Sequence, residues 1–273
     1  MNKTVTKIGF IGCGKMASAI ISGVKSAEKC DKFELKGAEV NCEIAELAQN
    51  KLGIEVLTDN RFLTMDSDVI IIATKPNYVR DVLDEIKDEV TPEKLIVSIA
   101  AGVSLETIQS YIPKARVIRV MPNTPALVRE GMSAVAKGQN ASEDDANFVV
   151  ELLENIGKVI RVDESQIDIV TAISGSGPAF FYKVIEDIAR AGEKLGLEYE
   201  KSLMLATQTA IGSAKMVLNR GEIPVQTLID NVATKGGCTF VGITVMNEEN
   251  SAKLFHDVIE KTTIKANELG KNK

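Results

Sequence analysis

Short β-rich runs and helical stretches alternate from residue 5 to about residue 160, and after about Asp163 the β-rich runs stop. That change of period constrains the fold more than any single motif. The runs Val5–Ile11, Phe33–Val40, Val69–Ala73, Leu95–Ile99, Val117–Met121, Ser133–Ala136 and Val159–Val162 predict strands. Their separation by helical segments predicts a largely parallel sheet covered by helices. Beyond Asp163 the spacing predicts consecutive helices at Ser165–Ile173, Ala179–Leu195, Tyr199–Leu218, Val225–Val232, Thr239–Asn247 and Ser251–Leu269. The breaks "SGSGP", "LGLEYE", "NRGEIP" and "TKGGCT" carry the expected punctuation, with Pro224 suited to a first helical turn. The expected organisation is an α/β domain over residues 1–162 and an all-α domain over 163–273. A chain of 273 residues, 45% of them apolar, can bury a core in each without staples.

Composition removes several classes of function. The formal charge of -6 is spread along the chain with no long basic run, which argues against a nucleic-acid partner and for a small molecule. Four cysteines lie far apart and form no C-x-x-C pair, so neither a structural zinc site nor a redox motif is expected. No apolar stretch reaches membrane-spanning length, and the start "MNKTVTKIGFIGCGKM" does not read as a signal peptide; a cytoplasmic protein without a membrane partner is expected. The single histidine, His256, falls in an amphipathic segment as a surface or packing residue, so histidine triads and metal sites have little support.

The motif "KIGFIGCGKMASAII" places Gly12 and Gly14 between an apolar strand and a helix. This is the G-x-G part of a dinucleotide fingerprint: the first glycine makes the turn, and the second lets a pyrophosphate approach the helix N-terminus. Ala17 replaces the usual third glycine. The second strand ends in "GAEVNCE", where the adenine ribose is normally read. Glu39 there would accept ribose hydroxyls and repel a 2′-phosphate, favouring NAD, whereas Asn41 facing the ribose would leave NADP open. Two more strand ends, Thr74-Lys75-Pro76-Asn77 and Met121-Pro122-Asn123-Thr124-Pro125, should open onto the same crevice. Prolines fix the backbone of the latter, and Asn123 offers a donor and an acceptor to the ring end of a nicotinamide.

The stretch "DNVATKGGCTFVGITVMN", Asp230 to Asn247, breaks two helical segments with Lys235-Gly236-Gly237-Cys238-Thr239. One reading is a turn, with glycine at φ > 0 and a threonine capping the next helix. The other is an anion site built from bare N–H groups at a helix start. In "AISGSGPAFFY" the serines Ser174 and Ser176 do not form a G-x-S-x-G elbow, which disfavours a hydrolase. That segment reads either as a cap and kink before a helix near Pro178 or as part of an active-site lining.

Taken together, "GFIGCGKMASAI", "ATKP", "MPNTPALVREGM", "AISGSGPAFFY" and "DNVATKGGCTFVGITVM" make the chain resemble pyrroline-5-carboxylate reductase over nearly its full length. The resemblance implies an N-terminal Rossmann-type domain and a C-terminal helical domain through which two subunits interlock, sometimes within a larger ring. It implies reduction of 1-pyrroline-5-carboxylate to L-proline with NADH or NADPH, the last step of proline synthesis. The nucleotide turn then falls on Gly12, Gly14, Lys15 and Met16; Thr74, as a strand-end residue, and Asn41, as the alternative to Glu39 at the ribose, are expected beside the cofactor on the sheet rule alone. The nicotinamide neighbours fall on Lys75, Pro76, Met121 and Asn123. The substrate loop falls on Thr234, Gly236, Gly237, Cys238 and Thr239, with Ser174 and Gly175 near the ring and Thr239 as a positioning residue or proton relay.

The chain departs from the family pattern in three places: Lys235 stands where proline is common, Cys238 where alanine or threonine is usual, and Asn247 where glutamate is frequent. Under this reading the carboxylate of the cyclic imine is expected on the N–H groups of Gly237, Cys238 and Thr239. Two rivals remain at this level. A β-hydroxyacid dehydrogenase would use a helical lysine, for which Lys183 is available, and a regulatory protein would bind NAD(P) without turnover.

Overall fold

The computed structural model describes residues 5–28 and 30–271. The first four residues of the segment read for a leader therefore lie outside the described part. The described residues form two compact units, one running up to residue 176 and including 262–271, the other comprising residues 177–261.

The first unit is an open sheet of β1 (Thr6–Ile11), β2 (Phe33–Ala38), β3 (Glu55–Leu57), β4 (Val69–Ile72), β5 (Leu95–Ser98), β6 (Arg116–Met121), β7 (Gly131–Lys137) and β8 (Gly157–Arg161). Their order is β3-β2-β1-β4-β5-β6-β7-β8. Neighbours run parallel except β6 and β7, which pair antiparallel. The largely parallel sheet is the one the alternation predicts. The sequence reading omits β3, which has only three residues and pairs with β2 alone.

Helices α1 (Lys15–Lys25), α2 (Cys42–Leu52), α3 (Asn60–Asp66), α4 (Val79–Ile86), α5 (Leu105–Tyr111) and α6 (Glu143–Glu154) cover the sheet. Strand β4, Val-Ile-Ile-Ile, is buried at every position. Its Val69 and Ile71 join the α1 and α6 cluster around Ile20, Val24 and Leu152, while Ile70 and Ile72 join the α4 and α5 cluster around Leu83, Ile86 and Ile108. A strand packed on both faces reads as a continuous apolar run, which is why the pattern is plain in sequence.

After β8 the chain makes α7 (Ile167–Val170) and then a π turn over Thr171–Gly175, closed by Ser176 N–H donating to Thr171 O at 2.8 Å. The single helix predicted over Ser165–Ile173 is thus interrupted. Glu164 ties this segment back: its Oε1 accepts from Leu105 N–H at 2.5 Å and from the buried Arg119 at 3.1 Å.

The second unit comprises α8 (Gly177–Lys194), α9 (Tyr199–Leu218), α10 (Val225–Val232), α11 (Cys238–Glu248) and the first part of α12 (Ser251–Lys271). Pro224 is the residue before α10 and not within its first turn. Helices α8 and α9 approach closely at Gly192, where an added Cβ would lie 2.5 Å from Ser202 Oγ. Tyr199 OH donates to Glu186 at 2.6 Å, and Arg190 sits over the Tyr199 ring at 4.2 Å. Among the described residues no helix is long and apolar enough to cross a membrane.

Candidate active site

Strands β1 and β4 are neighbours in the sheet, but the chain leaves β1 for β2 on one side and leaves β4 for β5 on the other. Ligands bind open α/β sheets at such a switch point, outside the carboxyl ends of the strands. The turn after β1 lies there. Gly12 has φ +90, its N–H donates to Ala38 O at 2.9 Å, and an added Cβ would lie 3.1 Å from the carbonyl of Ala73. Gly14 has φ −68, and an added Cβ there would meet nothing. Neither backbone strain nor internal crowding requires glycine at position 14, so its bare surface is room for something outside the protein. Helix α1 begins there with no side-chain cap and no acidic residue in its first turn, leaving its first N–H groups available to an anion.

A cleft of about 540 Å³ opens at this point, lined by Gly12, Gly14, Glu39, Thr74, Lys75 and Tyr78 among others. Thr74 Oγ1 is buried and has no hydrogen-bond partner. A bare turn, an uncapped helix start and an orphaned hydroxyl at one cleft fit a dinucleotide. Of the predicted nucleotide residues, Gly12, Gly14, Thr74 and Lys75 line the cleft, and Pro76 opens the short turn to Tyr78 just beyond it. Lys15 is exposed in the first turn of α1, and Met16 packs against the core. Asn41 is not among the lining residues, and its Oδ1 caps α2 by accepting from Ile44 N–H at 3.0 Å. Glu39 faces the cleft, and its Oε1 accepts from Cys13 N–H at 2.6 Å. Burial, reinforced by the Glu39 charge, pushes the Cys13 thiol up to about 12, so it stays protonated.

Sequence reasoning missed Tyr78, Asp81, Val82 and Glu85 as cleft residues. Their spacing of three, four and seven along one helical face after the Lys75-Pro76 turn is the signal that could have found them.

The loop after β6 brings two more predicted residues together with the π turn. Met121 Cε lies 2.5 Å from where a Cβ on Gly175 would sit, so a side chain at Gly175 would displace the methionine. Asn123 differs from the expectation. Its Nδ2 donates to Ser174 O and Oγ at 3.2 and 3.3 Å, and its Oδ1 accepts from Met132 N–H at 2.8 Å. Both ends of the amide serve the protein: Asn123 positions Ser174 and the start of β7, leaving its oxygen one remaining lone pair to offer a nicotinamide.

In the second unit the Lys235–Cys238 stretch answers both readings of the glycine pair. Gly237 N–H donates to Thr234 O at 2.9 Å, and Gly236 has φ +83. This is the pattern of a type II turn, with Lys235 at the position where proline is favoured, consistent with the departure at that site. Helix α11 then starts with Gly237 as its cap and no capping side chain. Thr239 lies in its first turn and does not cap it, contrary to the simple turn reading. The expected donor set also changes: Gly237 N–H is consumed by the turn, and the free N–H groups of the helix start are those of Cys238, Thr239 and Phe240.

The remaining polar candidates are placed otherwise. Lys183, the lysine of the rival dehydrogenase reading, is exposed and paired with Asp187. His256 lies on the exposed face of α12 with Asp257 and Glu260, and Asp257 is paired with Lys253.

A glycine turn at the switch point of a Rossmann-type sheet, in a chain that continues into a helical unit, defines a dinucleotide-binding protein of two units. The family profile "NADP oxidoreductase coenzyme F420-dependent" matches residues 7–102, and "Pyrroline-5-carboxylate reductase dimerisation" matches residues 164–269. The pyrroline-5-carboxylate reductase of Methanosarcina acetivorans is 40% identical over 266 residues, 97% of this chain and 98% of that one. A solved pyrroline-5-carboxylate reductase from Coxiella burnetii superposes with a TM-score of 0.90 at 32% identity, covering 97% of this chain and 99% of that one. A pyrroline carboxylate reductase from Plasmodium falciparum, solved with NADP bound, superposes with a TM-score of 0.85 at 31% identity, covering 97% and 98%. The chain belongs to the pyrroline-5-carboxylate reductase family.

Proposed function

We propose that this chain reduces 1-pyrroline-5-carboxylate to L-proline, the last step of proline synthesis, with NADH or NADPH as reductant. The observation that carries the reading is the uncapped start of α11 behind a Gly-Gly turn, in a chain of this family that also holds a dinucleotide cleft. The substrate is a cyclic imine bearing a carboxylate. The N–H groups of Cys238, Thr239 and Phe240 hold the carboxylate, because unsatisfied donors and the positive end of the helix dipole converge there. Gly236 and Gly237 keep side chains out of the approach. Thr239 Oγ orients the ring nitrogen and can relay a proton to it, while Ser174 and Gly175 line the ring. When bound, the reduced dinucleotide supplies the hydride that the imine carbon receives as the nitrogen gains its proton. The chain's own work is position and electrostatics, and it needs no histidine.

The functional division proposed is 1–162 for the cofactor and 163–273 for substrate and dimerisation, cytoplasmic in location. In the second unit Phe181 is 68% exposed, Met204 73% and Val241 63% in the single chain. Apolar surface of this kind is what a second subunit covers, which supports a homodimer through the helical domain. A ring of such dimers is the next level of assembly, and light scattering reads its size.

Two variants test the loop. Thr239→Val is expected to lower kcat roughly 10- to 100-fold with the fold intact. Gly237→Val places a Cβ 3.1 Å from Thr234 O and 3.2 Å from Thr234 Oγ1, and is expected to raise KM for the imine. Unchanged steady-state kinetics in both would remove the loop from the mechanism.

A further inference from the structure

The structure assigns to Glu39 the choice between the two dinucleotides: we propose that its carboxylate accepts the adenine-ribose hydroxyls of NADH and turns NADPH away. The inference rests on the reading of the cleft as a dinucleotide site and names the group that selects among its ligands.

Glu39 follows β2 directly, at the place where the ribose is read in such sheets. Its side chain is fixed there, with Oε1 held by Cys13 N–H at 2.6 Å, so the second oxygen is the one left to face the cleft. The competing candidate, Asn41, is not among the residues that line the cleft, and its Oδ1 is committed to the start of α2. A 2′-phosphate needs a cation, and arginine is its usual partner. The segment 39–44, Glu-Val-Asn-Cys-Glu-Ile, carries two carboxylates and neither lysine nor arginine. Lys36, the cation on β2, is spent on Asp66 at 2.9 Å, Glu55 at 3.1 Å and Glu34 at 3.4 Å. The cleft lining adds Asp81 and Glu85, the latter held by Asn60 at 2.8 Å, against Lys75 on the turn after β4. A phosphate carrying nearly two negative charges would therefore enter an acidic pocket beside a fixed carboxylate.

The test is calorimetric titration of the full-length protein with NADH and with NADPH in the absence of substrate, alongside kcat/KM for each. Wild type is expected to bind NADH roughly tenfold or more tightly than NADPH at low salt. Glu39→Gln keeps an acceptor for Cys13 N–H while removing the charge, so it tests charge without undoing the turn. It is expected to improve NADPH binding and narrow the ratio at least severalfold. Glu39→Ser, with circular dichroism as the check of folding, should narrow the ratio further. Equal or tighter binding of NADPH by wild type, or an unchanged ratio in both variants, overturns the proposal. Binding of neither dinucleotide overturns it together with the reading of the cleft. A protein that shows the binding preference but reduces no imine would leave the Glu39 assignment standing and remove the substrate reading instead.

Discussion

Gly12→Val is expected to cut dinucleotide affinity by one to two orders of magnitude. At φ +90 a β-branched residue is strained, and its Cβ would press on the Ala73 carbonyl carbon and oxygen, both 3.1 Å away. Strain of this kind is worth about 1–3 kcal/mol, which corresponds to roughly 5- to 150-fold if it is relieved by moving the turn away from the bound state. The displaced element is the one that aims the α1 N–H groups, so the loss should appear in titrations with NADH and NADPH alike. Gly14→Ala is the informative contrast. Its Cβ meets nothing in the protein, so folding stability should be unchanged while affinity falls through contact with the ligand itself. If Gly12→Val binds both dinucleotides as wild type does, the glycine turn is not the pyrophosphate site.

The second large effect is expected at Asn123. Asn123→Leu leaves Met132 N–H without its acceptor and Ser174 without its donor. An unsatisfied buried group costs about 1–3 kcal/mol, and each kcal/mol lowers the Tm of a chain of this size by about 2–4 °C. Asn123→Asp separates the two jobs, because it keeps the acceptor for Met132 and loses the donor to Ser174. It should retain most of the stability while kcat falls, since the π turn carrying Ser174 and Gly175 is no longer pinned to the Met121 loop. Equal loss of stability in the two variants, with kcat preserved in Asn123→Asp, would reduce Asn123 to a purely structural residue.

The sheet was legible because its central strands are buried on both faces and read as unbroken apolar runs such as Val69–Ile72 and Leu95–Ser98. Strand β3 was not, since three residues of half-buried edge carry too little pattern. The π turn was hidden for a different reason: what accompanies it is tertiary, with Asn123 donating to Ser174 and Met121 crowding Gly175, and neither partner is near in sequence. The glycine pair was readable as punctuation or as an anion site. Only the hydrogen bond from Gly237 to Thr234 shows that it is a turn that delivers an uncapped helix start, with Phe240 N–H replacing Gly237 N–H in the donor set. The choice between Glu39 and Asn41 was likewise open in sequence; in the structure Glu39 lines the cleft, whereas Asn41 does not and its Oδ1 caps α2.

The most direct test of the account is consumption of NADH, and separately of NADPH, by the purified full-length protein given 1-pyrroline-5-carboxylate, with the product identified by mass spectrometry. The account predicts stoichiometric formation of L-proline, one reduced dinucleotide oxidised per imine reduced, and faster turnover with NADH. Folded protein that binds dinucleotide but forms no proline with either cofactor would contradict it.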